Sequence, residues 1–115
     1  MLLDARTTAE FAVSHLLGAV NVASTETAEL LIASAPVNTT IVVYCSVGYR
    51  SAELISDLQR VATRTIYNLK GSIFRWANED RPLYRGITRV GIVHPYDQSW
   101  GPLLKPARHA EITTR

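Results

Sequence analysis

The chain has 115 residues, 47% of them hydrophobic, and a formal charge of +2 at pH 7. That length suits one domain with its own core and is too short for two. The basic residues are scattered along the chain, which argues against a nucleic-acid partner. No stretch approaches the roughly 18 consecutive apolar residues of a membrane span, and the N-terminus lacks the features of a signal peptide, so we expect a cytoplasmic protein with no membrane partner.

In the first half of the chain, the pattern predicts short strands alternating with helices. Residues 2–4 predict a strand ending in a carboxylate, and Thr7 to Glu10 has the Ser/Thr-x-x-Glu form of a capping box, which predicts a helix over residues 8–13. Gly18 marks a turn before a brief strand at residues 20–22. Residues 26–33, rich in alanine and leucine, predict a helix that ends before Pro36.

In the second half the alternation continues and then changes. A strand is predicted at residues 41–44, a helix from Ser51 to about Val61, a strand at residues 65–69, and a short helix after Gly71 that ends before Pro82. Residues 87–93 are a further strand candidate, residues 94–102 resemble a loop, and residues 105–115 are expected to be frayed or exposed to solvent. The alternation predicts an α/β fold, a three-layer sandwich in which helices flank a parallel sheet of about four to five strands.

The only cysteine, Cys45, directly follows the β-branched run of residues 41–44. A run without polar alternation is typical of a strand buried on both faces, and ligands bind at the carboxyl ends of such parallel strands. Gly48 permits a tight loop, so amide groups of the loop and of the following helix are expected to point at the sulfur and lower the pKa of the thiol. Arg50 would lower that pKa further if its guanidinium faces inward, although it could equally face solvent. A lone cysteine is usually a small buried hydrophobe, but this position favours a reactive thiol.

A single cysteine also limits the chemistry. It excludes an internal disulfide and a thiol–disulfide cycle completed within one chain. Any covalent intermediate on Cys45 must therefore be resolved by another molecule.

Three motifs in order resemble the rhodanese homology domain over most of residues 2–83. Residues 3–6, Glu10-Phe11 and residues 15–21 are similar to the N-terminal signature of the family, with Ser14 where glycine is usual. Residues 44–51 resemble the catalytic loop, in which the cysteine carries a persulfide. Residues 69–76 resemble the Leu-x-Gly-Gly segment and its downstream tryptophan, with Ser72 in place of the second glycine.

The resemblance implies a rhodanese-like sulfurtransferase that needs no cofactor or metal. Cys45 would take a sulfane sulfur from a small donor such as thiosulfate and pass it to cyanide, to a thiol or to a protein acceptor. The persulfide-binding loop would comprise Ser46, Val47, Gly48, Tyr49, Arg50 and Ser51, with Asp4 and Arg6 as supporting residues.

Two alternatives remain open at this stage. A non-enzymatic or regulatory module could use the same fold to bind a partner protein, although retention of Cys45 and Arg50 argues against an inert copy. Related phosphatases and arsenate reductases place five residues between cysteine and arginine, whereas residues 46–49 make four here. One residue is up to about 3.5 Å of chain, comparable to the size difference between a sulfur atom and a phosphate group. The shorter loop therefore favours sulfur transfer over a phosphatase or arsenate reductase.

Several other residues receive smaller predictions. Asp4 and Arg6 are expected mainly to pair or to bond to neighbouring loops, and His15 to be a hydrogen-bonded structural residue rather than a general base. The aromatic residues Phe74 and Trp76 are expected in the core, while Val47 and Tyr49 would shape the entrance. The spacing of His94 and His109 suggests no metal site.

The family usually has a strand and a helix before the Asp-x-Arg strand, and this chain begins almost on that strand. We therefore divide it into a rhodanese-like domain at residues 1–86, lacking that first strand and helix, and a C-terminal extension at residues 87–115 that packs on the domain or is partly disordered. An uncovered sheet edge exposes unpaired backbone groups. The sequence-based hypothesis is that residues 88–93, residues 96–104 or a second copy in a homodimer covers it.

Overall fold

The computed structural model describes residues 1–60 and 64–111, and its centre is a four-stranded parallel sheet. The strands are β1 (Leu2–Asp4), β2 (Val20–Asn21), β3 (Ile41–Tyr44) and β4 (Ile66–Asn68), in the spatial order β2-β1-β3-β4. Leu3 pairs with Val43 of β3, and Val43 pairs with Asn68 of β4. Helices flank this sheet, so the predicted α/β architecture is confirmed.

The helices lie close to their predicted positions. They are α1 (Thr8–Val13), α2 (Thr25–Ser34), α3 (Tyr49–Leu58) and α4 (Ser72–Asn78). The capping box is present at α1: the Thr7 side chain accepts from the backbone N–H of Glu10, and the Glu10 carboxylate accepts from that of Thr7. Helix α3 begins two residues before the predicted start and ends at Leu58, and Val61 lies outside the described residues.

Two apolar clusters form because alternate side chains of each strand point to opposite faces. Leu3, Ile41 and Val43 pack with the helical residues Ile32, Ile55 and Leu58 on one face. On the other face, Tyr44 packs with Ile73 and Phe74 of α4 and with residues from later in the chain, which are Leu83, Val93 and Leu104. Burial of both faces explains why the strand residues are uniformly apolar.

The chain beyond α4 differs from the sequence-based expectation. A short antiparallel pair forms between β5 (Leu83–Arg85) and β6 (Thr88–Val90); β5 was not predicted, and β6 is shorter than the candidate strand at residues 87–93. Val93 then forms an isolated bridge with His109. Because Val93 and Leu104 are buried beside α4, this segment covers a face of the sheet, and up to residue 111 it pairs with neither outer strand.

The last described residues are ordered around short turns. Gly101–Leu103 and Pro106–Arg108 are 3-10 helices. Residues 105–107 and Glu111 are exposed as predicted, but Ala110 is buried and its N–H donates to the Val93 carbonyl, so the expectation of a frayed or exposed end is wrong at Ala110. Residues 112–115 lie outside the described part. Among the described residues, no helix is long and apolar enough to cross a membrane.

Candidate active site

Cys45 lies directly after β3, at the carboxyl end of the parallel sheet, and its side chain is fully buried. Gly48 has a φ of 112°, a left-handed conformation that favours glycine, and it is the N-cap of α3. Tyr49, Arg50 and Ser51 therefore form the first helical turn, whereas the sequence predicted that the helix begins at Ser51. This geometry directs the first amides of α3 toward the sulfur.

The hydrogen bonds around the Cys45 sulfur favour the thiolate. The backbone N–H of Gly48 donates to Sγ at 3.1 Å, and the hydroxyl of Ser51 lies 3.4 Å from Sγ. Burial raises the pKa of this thiol, but hydrogen bonds from the Ser51 hydroxyl and from the amides of Ser51, Gly48 and Val47 outweigh it, so the pKa lies below its ordinary value. A lowered pKa raises the fraction of thiolate, the form in which a cysteine acts as a nucleophile.

The Ser51 hydroxyl has a single proton and two acceptors within reach. Its oxygen lies 2.7 Å from Oδ1 of Asn68 and 3.4 Å from the sulfur. The Asn68 side-chain amide is oriented by its own N–H group, which donates to the Gly48 carbonyl at 3.0 Å. The shorter contact competes for this proton, so the Ser51 hydroxyl supports the thiolate only in part, whereas the backbone amides donate to the sulfur without such competition.

Arg50 turns toward a carboxylate on another helix. Its two terminal nitrogens donate to the two oxygens of Glu10 at 2.7 and 2.9 Å, and one of them also donates to Ser46 Oγ at 2.7 Å. The Ser46 hydroxyl in turn donates to Glu10 at 3.2 Å. Burial raises the pKa of Glu10, but the bonds from Arg50 and Thr7 outweigh it and lower the pKa to about 2. Arg50 therefore faces inward, one of the two orientations that the sequence left open, and its hydrogen bonds go to Glu10 and Ser46.

Ser72 holds the backbone of the cysteine itself. Its Oγ accepts from the Cys45 N–H at 3.1 Å and donates to the Leu69 carbonyl at 3.3 Å. Ser72 has a φ of 51°, a left-handed conformation unusual for a residue with a side chain. The position where the family usually has glycine thus keeps a glycine-like backbone and adds a hydroxyl.

The supporting residues Asp4 and Arg6 form a fully buried ion pair of 2.7 Å. Arg6 also donates to the Ser14 carbonyl at 2.6 Å, which ties β1 to the chain after α1. His15 donates from Nδ1 to the Leu16 carbonyl at 2.9 Å, and its Nε2 accepts from the Gly86 N–H at 3.0 Å. These bonds give the histidine the structural environment that the sequence suggested.

The remaining aromatic and histidine predictions fall at different depths. Phe74 is buried, and Trp76 is half-buried with its indole N–H donating to the Pro82 carbonyl at 2.7 Å. On the loop side, Val47 is half-buried and Tyr49 is exposed. His94 accepts from the Tyr96 N–H, and His109 Nε2 lies 2.9 Å from the Leu104 carbonyl.

Sequence reasoning assigned no site role to five residues that the fold brings to this region: Glu10, Asn68, Ser72, Tyr96 and Trp100. Asn68 ends the strand next to β3, so the convergence of carboxyl ends could have indicated it. The capping box accounted for only part of the bonding of Glu10. Nothing local in the sequence indicates that residues 96–100 return to Arg50.

Comparison with known proteins identifies the family. The family model described as Rhodanese-like domain matches residues 1–79. Among curated protein sequences, none matches this chain.

Solved structures with the same fold come from distant sequences. A rhodanese-related protein from Thermoplasma volcanium superposes with a TM-score of 0.61 at 21% identity, over 73% of this chain and 82% of its own. A thiosulfate sulfurtransferase from Pseudomonas aeruginosa gives 0.63 at 19% identity, over 89% of this chain but only 20% of its own. A Bacillus halodurans protein gives 0.63 at 16% identity, over 90% and 75% of the two chains. At these identities the likeness shows the fold alone.

Proposed function

This chain belongs to the family of rhodanese-like domains, and on that premise we propose that it is a sulfurtransferase that carries a sulfane sulfur on Cys45. The donor is a small molecule such as thiosulfate, and the acceptor is cyanide, a small thiol or a protein thiol. The single observation that carries the proposal is the set of N–H and O–H groups around the Cys45 sulfur, which lowers the pKa of the thiol.

The first half-reaction uses the thiolate as nucleophile. The Cys45 thiolate attacks the outer sulfur of thiosulfate and forms a new S–S bond, while the bond between the two sulfurs of thiosulfate breaks and its electron pair leaves with sulfite. No proton is transferred in this step. The product is a persulfide anion on Cys45, and amides that favour the thiolate also favour this anion.

The second half-reaction returns the enzyme to its starting state. A cyanide ion or a thiolate attacks the outer sulfur of the persulfide, and the electron pair of the broken S–S bond returns to Cys45 as thiolate. Because the chain has one cysteine, no second thiol of the same chain competes for that sulfur. The acceptor is therefore an external molecule.

Intact mass spectrometry after incubation with thiosulfate tests this proposal. We expect the wild type to gain the mass of one sulfur atom, to release sulfite, and to lose the added sulfur on treatment with cyanide. The Cys45→Ser variant is the matched control and should gain nothing. If several sulfane-sulfur donors leave no adduct on the folded wild type, the protein is a binding module instead, and phosphate release from an aryl phosphate would identify a phosphatase.

A further inference from the structure

Two aromatic rings from the C-terminal segment lie against Arg50, outside the residues that the family model matches. The guanidinium carbon of Arg50 lies 4.2 Å from the ring centroid of Tyr96 and 5.6 Å from that of Trp100. The two rings are themselves stacked, with centroids 4.6 Å apart. A cation at these distances from aromatic faces is attracted to them. Residues 96–100 therefore contact the end of the loop that begins at Cys45.

The backbone holds Tyr96 in an unusual conformation to place its ring there. Its φ is 69°, which residues other than glycine rarely adopt. Its N–H donates to His94 Nδ1 at 3.0 Å, and the next residue, Asp97, accepts from the N–H groups of Ser99 and Trp100 at 2.9 Å each. A strained residue persists only where its surroundings over-determine it. This turn fixes the ring on Arg50.

The contacts of Arg50 determine what charge a substrate meets. It is the only cationic residue among residues 46–51, and both of its terminal nitrogens are bonded to Glu10. Its Nε is buried and has no hydrogen-bond acceptor among the described residues. The guanidinium thus has a carboxylate along its edge and aromatic rings on its face, and its Nε–H has no acceptor among the described residues. A substrate at the sulfur meets backbone amides but no uncompensated cation from this stretch.

We propose that Tyr96 is a specificity-determining residue. Its ring holds Arg50 against Glu10 and so keeps the guanidinium away from the substrate. The site therefore prefers sulfur donors with little charge to strongly anionic donors. For sulfur transfer this deepens, and rests on, the proposed function. With the protonated, uncharged form of a small persulfide, the Cys45 thiolate attacks the outer sulfur, the S–S bond breaks, and the thiolate of the small thiol leaves with the electron pair, while the proton stays on the transferred sulfur. Thiosulfate, a dianion, still loads Cys45 as a donor, but with a higher KM than such a persulfide.

The charge discrimination is measured first without any sulfur donor. Cys45 is alkylated with iodoacetate, which is anionic, and with iodoacetamide, which is neutral, and the ratio of the two rates is compared between variants. Because both reagents must reach the same sulfur, the ratio cancels differences in access and in thiol pKa. We expect Tyr96→Leu to raise the iodoacetate-to-iodoacetamide ratio by about threefold, the effect of one partly screened charge pair.

Two controls test whether the effect requires an aromatic ring at position 96 and whether it is specific to that position. Tyr96→Phe keeps the ring and should match the wild type, and Tyr67→Leu removes an exposed tyrosine ring from β4 and should change nothing. Circular dichroism and thermal unfolding establish that each variant is folded. If Tyr96→Leu does not fold, Trp100→Leu removes the ring against which Tyr96 stacks and should raise the same ratio.

An unchanged or lowered ratio in a folded Tyr96→Leu or Trp100→Leu protein would overturn the proposal. The same variants are then tested with thiosulfate and with the persulfide of 2-mercaptoethanol. We expect the KM for thiosulfate to fall in Tyr96→Leu and the KM for the persulfide to stay within about twofold. A failure of the proposed function is distinguishable, because it leaves the wild type without a sulfur adduct whatever the alkylation ratio does.

Discussion

The Cys45 sulfur and Asn68 Oδ1 are two acceptors within reach of the single hydroxyl proton of Ser51. In the structure Asn68 has the shorter contact, 2.7 Å against 3.4 Å. We predict that Asn68→Ala releases that proton to the sulfur and lowers the pKa of Cys45 further, since a hydrogen bond to the charged form favours that form. The pH dependence of alkylation by iodoacetamide measures this pKa.

The opposite result for Asn68 would also be informative. Asn68→Ala removes the bond to the Gly48 carbonyl as well. A rise in the thiol pKa would therefore mean that Asn68 acts mainly by holding the Gly48 turn, and not by competing for the Ser51 proton. Asn38→Ala, at an exposed position remote in sequence, is the control and should leave the profile unchanged.

Ser72 combines a favourable hydrogen bond with an unfavourable backbone angle, and two substitutions separate these contributions. Ser72→Ala loses the bond to the Cys45 N–H and keeps the strained φ of 51°, whereas Ser72→Gly loses the same bond and relieves the strain. We expect Ser72→Ala to be the less stable variant by about 1 kcal/mol in urea unfolding, since glycine alone adopts this conformation without cost. Equal stability of the two variants would contradict a strained backbone at this position.

At the scale of elements, the Glu10–Arg50 pair ties α1 to α3 across the cysteine loop. Burial and ion pairing together leave the pKa of Glu10 at about 2, below its ordinary value of 4.5. Because the folded-state pKa is the lower one, the pair stabilises the fold fully above about pH 4.5 and loses this contribution as the pH falls toward 2. The shift corresponds to about 3 kcal/mol in the free energy of unfolding.

Glu10→Gln is predicted to remove that acid-sensitive contribution. The variant should be less stable than the wild type at pH 7 and should lose less stability between pH 4.5 and pH 2, as measured by urea unfolding at each pH. Glu53→Gln, an exposed position on α3, should retain the wild-type pH dependence. Parallel curves for wild type and Glu10→Gln would show that another carboxylate dominates acid unfolding.

At the scale of the whole molecule, the C-terminal segment completes one of the two apolar clusters. Val93 and Leu104 are essentially inaccessible to solvent and pack in the cluster that includes Tyr44 and Phe74. We predict that a chain ending at residue 86 is less stable than the full chain by at least about 3 kcal/mol, the burial free energy of two such side chains. Its urea unfolding midpoint and the elution volume of both chains provide the test.

Unchanged stability in a truncated monomer would mean that residues 87–115 contribute nothing to the fold. It would also contradict the first of the two alternatives for this extension, in which it packs on the rhodanese-like domain and is not partly disordered. A truncated chain that dimerises, by contrast, would indicate that a second copy replaces the lost cover.

The sequence alone determined the parts of this protein that depend on local periodicity and near neighbours. Short apolar runs, helical spacing and the capping box each depend on residues close together in the chain, so the four parallel strands, α1 and the position of Cys45 at a strand end followed from them. The motif order over residues 3–76 likewise indicated the family that the comparison shows. The strand β5 escaped prediction because it is short and half-exposed, with little alternation to indicate it.

Only the tertiary structure decided where the charged and aromatic side chains meet. Arg50 is 40 residues from Glu10 along the chain, and it has a still more distant neighbour in Tyr96. Whether a guanidinium faces the sulfur, the solvent or a carboxylate depends on which elements pack beside it, and no local pattern encodes that choice. The amides at Cys45 were predictable because helix geometry orients them wherever the helix lies, whereas side-chain partners depend on the packing of the whole chain.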